Sequence, residues 1–128
     1  MRLLLDTHAL LWWISGNDSL SAAAKAAIGD DSNTNYVSAA STWEIATKYR
    51  IGKLPSAAAI GGNIDLFIED RGFVGLPVSP RHGGVSGGLP GLHRDPFDRI
   101  LIAQAIVEGM LLVSNEVLFD GYGVERFW

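Results

Sequence analysis

The sequence predicts an α/β fold: three layers, α/β/α, with a central, mainly parallel sheet between helices on both faces. Three observations carry this reading. Short apolar runs alternate with longer segments of helical pattern, the order of βαβ units. The runs are apolar throughout and do not alternate with polar residues, as strands buried on both faces require. Glycines stand at 29, 52, 72 and 109, just where helical segments run out.

Taken in order, Leu3–Leu5 is the first strand, and Thr7–Ser15 follows as a helix with Leu10, Leu11 and Ile14 on one side. Ser19–Ile28 reads as an alanine-rich helix closed by Gly29, and Tyr36–Val37 as a second buried strand. Ser41–Arg50 is the next helix, stopped near Gly52. Ile64–Asp70 is helical, and Phe73–Val78 is a weaker strand. Phe97–Glu108 is the clearest helix, opened by Asp95-Pro96 and ended by Gly109. Leu111–Ser114 is another strand, and Val124–Phe127 an edge strand. Residues 83–91, GGVSGGLPG, carry too many glycines for a stable helix or strand and read as a flexible loop. They have neither of the glycine spacings that cradle phosphates.

Composition narrows the class. A chain of 128 residues, read as one domain over 1–128, is 48% hydrophobic with a mean hydropathy of +0.18, enough for a real core. It has no cysteine, which removes disulfides and thiolate zinc sites and fits a reducing cytoplasm. Asp6 and His8 interrupt the apolar start, so it is not a secretory signal, and no stretch suits a membrane span. A net charge of −4 argues against binding nucleic acid through a basic face alone; local basic patches or bound cations would be needed.

The positions of the acids are the informative feature. Asp6 ends the first strand, Glu44 falls in the first turn of the helix after the second, Asp95 and Asp98 open the long helix, and Glu116 follows the strand ending at Ser114. In a parallel sheet these junctions share one edge, where open α/β sheets bind ligands. Each acid has a plainer role. Asp6 suits an N-cap, Ser41-x-x-Glu44 a capping box with Lys48 one turn on, Asp95 a cap before Pro96, and Asp98 and Glu116 the positive ends of helices. Together they are harder to dismiss, because four or five carboxylates at one edge repel unless protons or cations intervene. Arg94 and Arg99 offset part of that charge. An oxygen-only set suits a hard cation, Mg²⁺ or Mn²⁺ in its place, which lowers the pKa of bound water and clamps phosphate oxygens.

Four blocks, "LLLDTHALLWW" at 3–13, "VSAASTWEIATKYRIGKL" at 37–54, "HRDPFDRILIAQA" at 93–105 and "LLVSNEVLFDGYGV" at 111–124, resemble the PIN-domain ribonucleases. The likeness is to the VapC-type toxins of bacterial toxin–antitoxin pairs, in the family's order and spacing. It implies a Mg²⁺- or Mn²⁺-dependent endoribonuclease leaving 5′-phosphate and 3′-hydroxyl ends. It puts Asp6, Glu44 and Asp98 at the acidic metal-site positions, Asp95 as a ligand or support, and Glu116 where the family often has aspartate. It also implies a homodimer, an antitoxin (VapB-like) partner and RNA as substrate, in the cytoplasm that the lack of cysteine fits.

Lys48, Arg50 and Lys53 form the densest basic run, a solvated helix end in which Lys48 is also a candidate RNA contact, as is Arg99. Trp12, Trp13 and Trp43 are core or interface residues, and the adjacent pair implies that one reaches a partner surface. His8, His82 and His93 read as polar contacts, and Thr7 or Ser114 as a group orienting a metal ligand. Other readings remain. A phosphoacceptor domain fits poorly, since His8 stands where a phosphatase needs a second aspartate and Lys53 is the last lysine. A non-catalytic module would use the acids only as caps, and a related PIN-type nuclease would act on DNA structures or in RNA maturation.

Overall fold

Leu3, Leu4 and Leu5 have no solvent exposure, and the architecture follows from how they divide. The computed structural model describes residues 1–54, 60, 63–91 and 95–128. Among them, β1 (Arg2–Leu5), β2 (Thr34–Ser38), β3 (Val74–Leu76), β4 (Leu111–Val113) and β5 (Arg126–Phe127) form one sheet in the order β3-β2-β1-β4-β5. Every pairing is parallel, so the sheet goes beyond the expected mainly parallel arrangement. β1 is central, with Leu5 opposite Val37 on one side and Val113 on the other.

Successive strand side chains point to opposite faces, and β1 therefore feeds two cores. Leu3 and Leu5 join a cluster with residues of α1 (Thr7–Ser15), α2 (Ala22–Gly29), α3 (Ala39–Arg50) and α4 (Ile64–Asp70), including Leu10, Ile28, Ile45 and Ile68. Leu4 joins Leu112, Phe119, and Leu101, Ile102 and Ala105 of α6 (Pro96–Glu108) on the other face. Burying each such leucine contributes about 1.5–3 kcal/mol. The layers are thus helix, sheet, helix.

α1 and α4 have the bounds the sequence predicts, and Gly109 closes α6 in the left-handed conformation, φ 65°. Other elements differ. α2 begins at Ala22, not Ser19, because Ser21 is its N-cap, its hydroxyl accepting from the Ala24 N–H at 3.0 Å; Gly29 is its last residue. α3 begins at Ala39, not Ser41. Ser38, the last residue of β2, caps it by accepting from the Ala40 N–H at 3.0 Å. The Ser41–Glu44 capping box therefore does not form, and Glu44 lies in the second turn.

The flexible loop expected at 83–91 is largely helix: α5 spans Pro80–Gly88. Its glycines cost up to about 0.5–1 kcal/mol each relative to alanine within the helix, and a local cap together with tertiary bonds offsets this. Ser79 Oγ accepts from the His82 N–H at 3.2 Å, while His82 Nδ1 accepts from the Ser79 N–H at 2.9 Å. Since Nδ1 accepts, the proton sits on Nε2, which donates to Glu108 Oε1 at 2.9 Å. At the far end the Arg99 guanidinium donates to the Ser86 and Leu89 carbonyls. Gly91 suits glycine: its φ of +92° strains any other residue, and a Cβ there would lie 2.7 Å from the Tyr122 hydroxyl oxygen, so that ring would have to shift.

Trp12 and Trp13 are both half-buried against the first core, Trp12 with its ring 5.9 Å from that of Trp128. Trp43 is the exposed tryptophan, with 68% of its surface open.

Candidate metal centre

Asp6 is set by the end of β1 and the start of α1. Its N–H donates to the Val113 carbonyl at 3.0 Å, tying it to the end of β4, and its Oδ1 accepts from the Ala9 N–H at 2.7 Å as the N-cap of α1. Only 5% of the residue is exposed. Burial pushes its carboxyl above the usual carboxylate range, the Glu44 charge adds to this, and the Ser114 hydroxyl, the Ala9 N–H and His8 pull the other way. The Ser114 hydroxyl donates to Asp6 while its oxygen accepts from the Glu116 N–H at 3.0 Å. Thr7 turns elsewhere, its hydroxyl donating to Ser41 Oγ at 3.1 Å. Of the two hydroxyls that could orient an acid, the structure selects Ser114.

Glu44 is 8% exposed and accepts from Lys48 Nζ at 2.8 Å, one turn along α3. That hydrogen bond raises the Lys48 pKa, against the effect of burial, and the charges of Glu44, Asp95 and Asp98 raise it further. One ammonium thus lies within the field of three of the acids. It joins the α3 carboxylate to those at the mouth of α6.

Asp95 is exposed and acts as the N-cap of α6, its Oδ1 accepting from the N–H groups of Phe97 at 2.9 Å and Asp98 at 3.3 Å. With Pro96 opening the helix, Asp98 falls in its first turn, half-buried. Arg99 is half-buried and bound to the carbonyls at the end of α5. His93 and Arg94 lie outside the described residues. Glu116 caps the 3₁₀ helix Val117–Tyr122, its Oε1 accepting from the Leu118 N–H at 3.1 Å, and its charge acts on Arg126.

All five acids therefore lie at the edge where the strands end. Coulombic coupling links Asp6 to Glu44, and Lys48 to Glu44, Asp95 and Asp98. Among the described residues, no three His, Asp or Glu side chains are gathered tightly enough to hold a metal ion as they stand. The donor chemistry nonetheless fits a hard cation. The set is oxygen-only, and buried Asp6 carries an electrostatic penalty that a cation beside it would remove.

Residues 3–123 match the PIN domain family, and the chain belongs to that family. Within it, the chain is similar to Ribonuclease VapC22 of Mycobacterium tuberculosis, 30% identical over 115 residues, 88% of this chain and 85% of that protein. Among solved structures, VapBC2 of Rickettsia felis bound to a promoter DNA fragment has a TM-score of 0.69 at 19% identity, covering 98% of this chain and 96% of that one. A toxin–antitoxin complex from Klebsiella pneumoniae has a TM-score of 0.63 at 19% identity, covering 89% and 86%. These two likenesses carry the fold.

Proposed function

We infer that this chain is a divalent-metal-dependent endoribonuclease, the toxin of a toxin–antitoxin pair, with the described chain forming one catalytic domain. The observation that carries the reading is a buried carboxylate, Asp6, at the end of the central strand, electrostatically coupled to Glu44 in a PIN-family fold. Similarity to a ribonuclease of the VapC type supports RNA as substrate, and the toxin–antitoxin neighbour supports a protein antitoxin as partner. A homodimer in the cytoplasm is part of the same reading. No helix among the described residues is long and apolar enough to cross a membrane.

Asp6, Glu44 and Asp98 would hold the cation, Mg²⁺ or Mn²⁺, with Asp95 and Glu116 in support. That cation would supply an acidified water and positive charge at the phosphate. The chain's own groups do the rest. Ser114 holds the Asp6 carboxylate in one orientation from within the core. Glu44 releases Lys48 to free its carboxylate, and Lys48 then meets the phosphate backbone from the same helix. Arg99, beside Asp98 in the chain, adds positive charge while bracing α5.

The test uses purified protein free of any antitoxin with structured RNAs. Cleavage is expected to require Mg²⁺ or Mn²⁺, to stop with chelator, and to fall in Asp6→Asn and in Asp98→Asn by more than the about 10- to 100-fold that follows loss of a group merely orienting a ligand. Activity persisting in chelator or in both variants overturns the mechanism. Growth arrest on expression, relieved by a co-expressed antitoxin, checks the toxin role.

A further inference from the structure

Ser114, which holds Asp6, has all of its own hydrogen-bonding groups engaged. Its N–H donates to the Phe127 carbonyl at 3.2 Å, joining β4 to β5. Its hydroxyl donates to Asp6 and accepts from the Glu116 N–H. Its carbonyl accepts from Arg126 Nη1 at 3.1 Å. Arg126 grips Asp120 with the rest of its fork, Nε on Oδ1 at 2.8 Å and Nη2 on Oδ2 at 3.0 Å. One planar guanidinium thus ties the end of β4 to the 3₁₀ helix Val117–Tyr122 and to β5. The hydrogen bond from Arg126 also holds the Asp120 carboxyl below its ordinary pKa, so the pair is charged at neutral pH.

Stability alone does not account for this clasp. The Asp120 side chain is 54% exposed, and exposed ion pairs add little to a fold. What the clasp fixes is a direction. The peptide after Ser114 is planar, so its carbonyl turns together with the chain leading to Glu116. If that carbonyl swings, the Glu116 N–H leaves the Ser114 hydroxyl, and the hydroxyl is free to turn from Asp6. A guanidinium suits the task because its donors sit in a rigid fork that an ammonium lacks. Charge by itself predicts the reverse effect at the metal. Arg126 lies in the field of Glu116, and a fixed cation at an acidic edge opposes a second one.

We propose that Arg126 is a positioning residue for the metal centre. Clasped on Asp120, it fixes the Ser114 carbonyl and, through the Ser114 hydroxyl, keeps the Asp6 carboxylate in one orientation toward a divalent cation. The inference rests on the metal-dependent reading and deepens it.

The test measures Mn²⁺ binding to metal-free protein by electron paramagnetic resonance of the unbound ion, at fixed pH and salt. RNA cleavage by the same proteins is followed alongside. Arg126→Gln is expected to weaken Mn²⁺ binding by about 10-fold, the low end of the loss that follows removal of a group orienting a ligand. Arg126→Lys should recover little of this, since it keeps the charge and loses the fork. Ser114→Ala with Arg126→Gln should bind no more weakly than Ser114→Ala alone, because residues acting through one hydrogen-bond chain are not additive. Asp120→Asn, at an exposed position, should weaken binding in the same direction, and it decides the matter if Arg126→Gln does not fold. Unchanged or tighter Mn²⁺ binding in Arg126→Gln, full recovery in Arg126→Lys, or a further loss of about 10-fold in the double variant overturns the positioning role. The metal-dependent reading then stands on the wild type's own Mn²⁺ requirement. A wild type that binds no Mn²⁺ overturns both.

Discussion

The two edges of the sheet treat polar groups in opposite ways. Where the strands begin, the chain's amino terminus donates to Asn33 Oδ1 at 2.8 Å and Arg2 donates to the Glu108 carbonyl at 2.7 Å, both in exposed positions. A pocket of about 440 Å³ opens there beside Met1, Arg2, Met110 and Val124. Where the strands end, Asp6, Thr7, Ser38, Ser41, Glu44 and Ser114 are all buried. The beginning edge has a larger recess than the apolar one of about 350 Å³ between α3 and α6 beside the acids, yet among the described residues the buried carboxylates, Asp6 and Glu44, lie at the ending edge. Concavity alone does not mark chemistry. Charge retained at an energetic cost is the better guide, since it destabilises the fold and clusters at functional sites.

Asp6→Asn sharpens this contrast most. It should lower cleavage by more than the about 10- to 100-fold lost with a group that only orients a ligand and yet raise the melting temperature of metal-free protein at neutral pH. The sign follows from the raised carboxyl of the folded state. Folded Asp6 takes its proton at higher pH than the unfolded chain does, so stability is full below the ordinary value of 3.8 and declines as pH rises through the folded value. The gain from Asn should therefore vanish in acid. Thermal melts across pH check it, and a wild type stabilised by Mn²⁺ beside an indifferent variant would complete the contrast.

Ser114→Ala comes next. It frees the Asp6 carboxylate and leaves the Glu116 N–H without its acceptor, and cleavage should fall about 10- to 100-fold. Glu116→Gln in the same assay separates the two consequences: it keeps an acceptor for the Leu118 N–H, and a large loss would place its charge at the metal. His82→Ala works on stability. Removing a buried ring that bonds both Ser79 and Glu108 should cost about 1–3 kcal/mol in urea unfolding and speed amide exchange through α5. Arg2→Ala, at the beginning edge, is expected to cost about 0.5–1.5 kcal/mol and leave cleavage untouched. Lost activity there would break the comparison.

The same contrast separates what the sequence reveals from what it hides. β1, α1, α4 and α6 follow from local pattern and from caps adjacent in the chain, and the acids are placed by knowing only where strands end. α5 is half hidden: its Ser79–His82 cap and Pro80 are local, but four glycines mask them, and His82 also leans on Glu108, 26 residues away, while Arg99 closes the helix from outside. Glu44 is misplaced by a turn because Ser38 and Ser41 are equally good caps on paper. Ser41 is instead engaged by Thr7, 34 residues earlier. The pairing of Ser114 with Asp6 likewise exists only once β1 and β4 lie side by side.

Ser38 is both the last residue of β2 and the cap of α3, so strand passes to helix with no intervening loop. The junction is geared. One residue added there would turn the helix by about 100° relative to the sheet and carry Glu44 and Trp43 off their bearings together. Length variation in relatives should therefore accumulate in other connections, while this step, carrying neither metal ligand nor substrate contact itself, keeps a fixed count of residues as strictly as any acid keeps its identity.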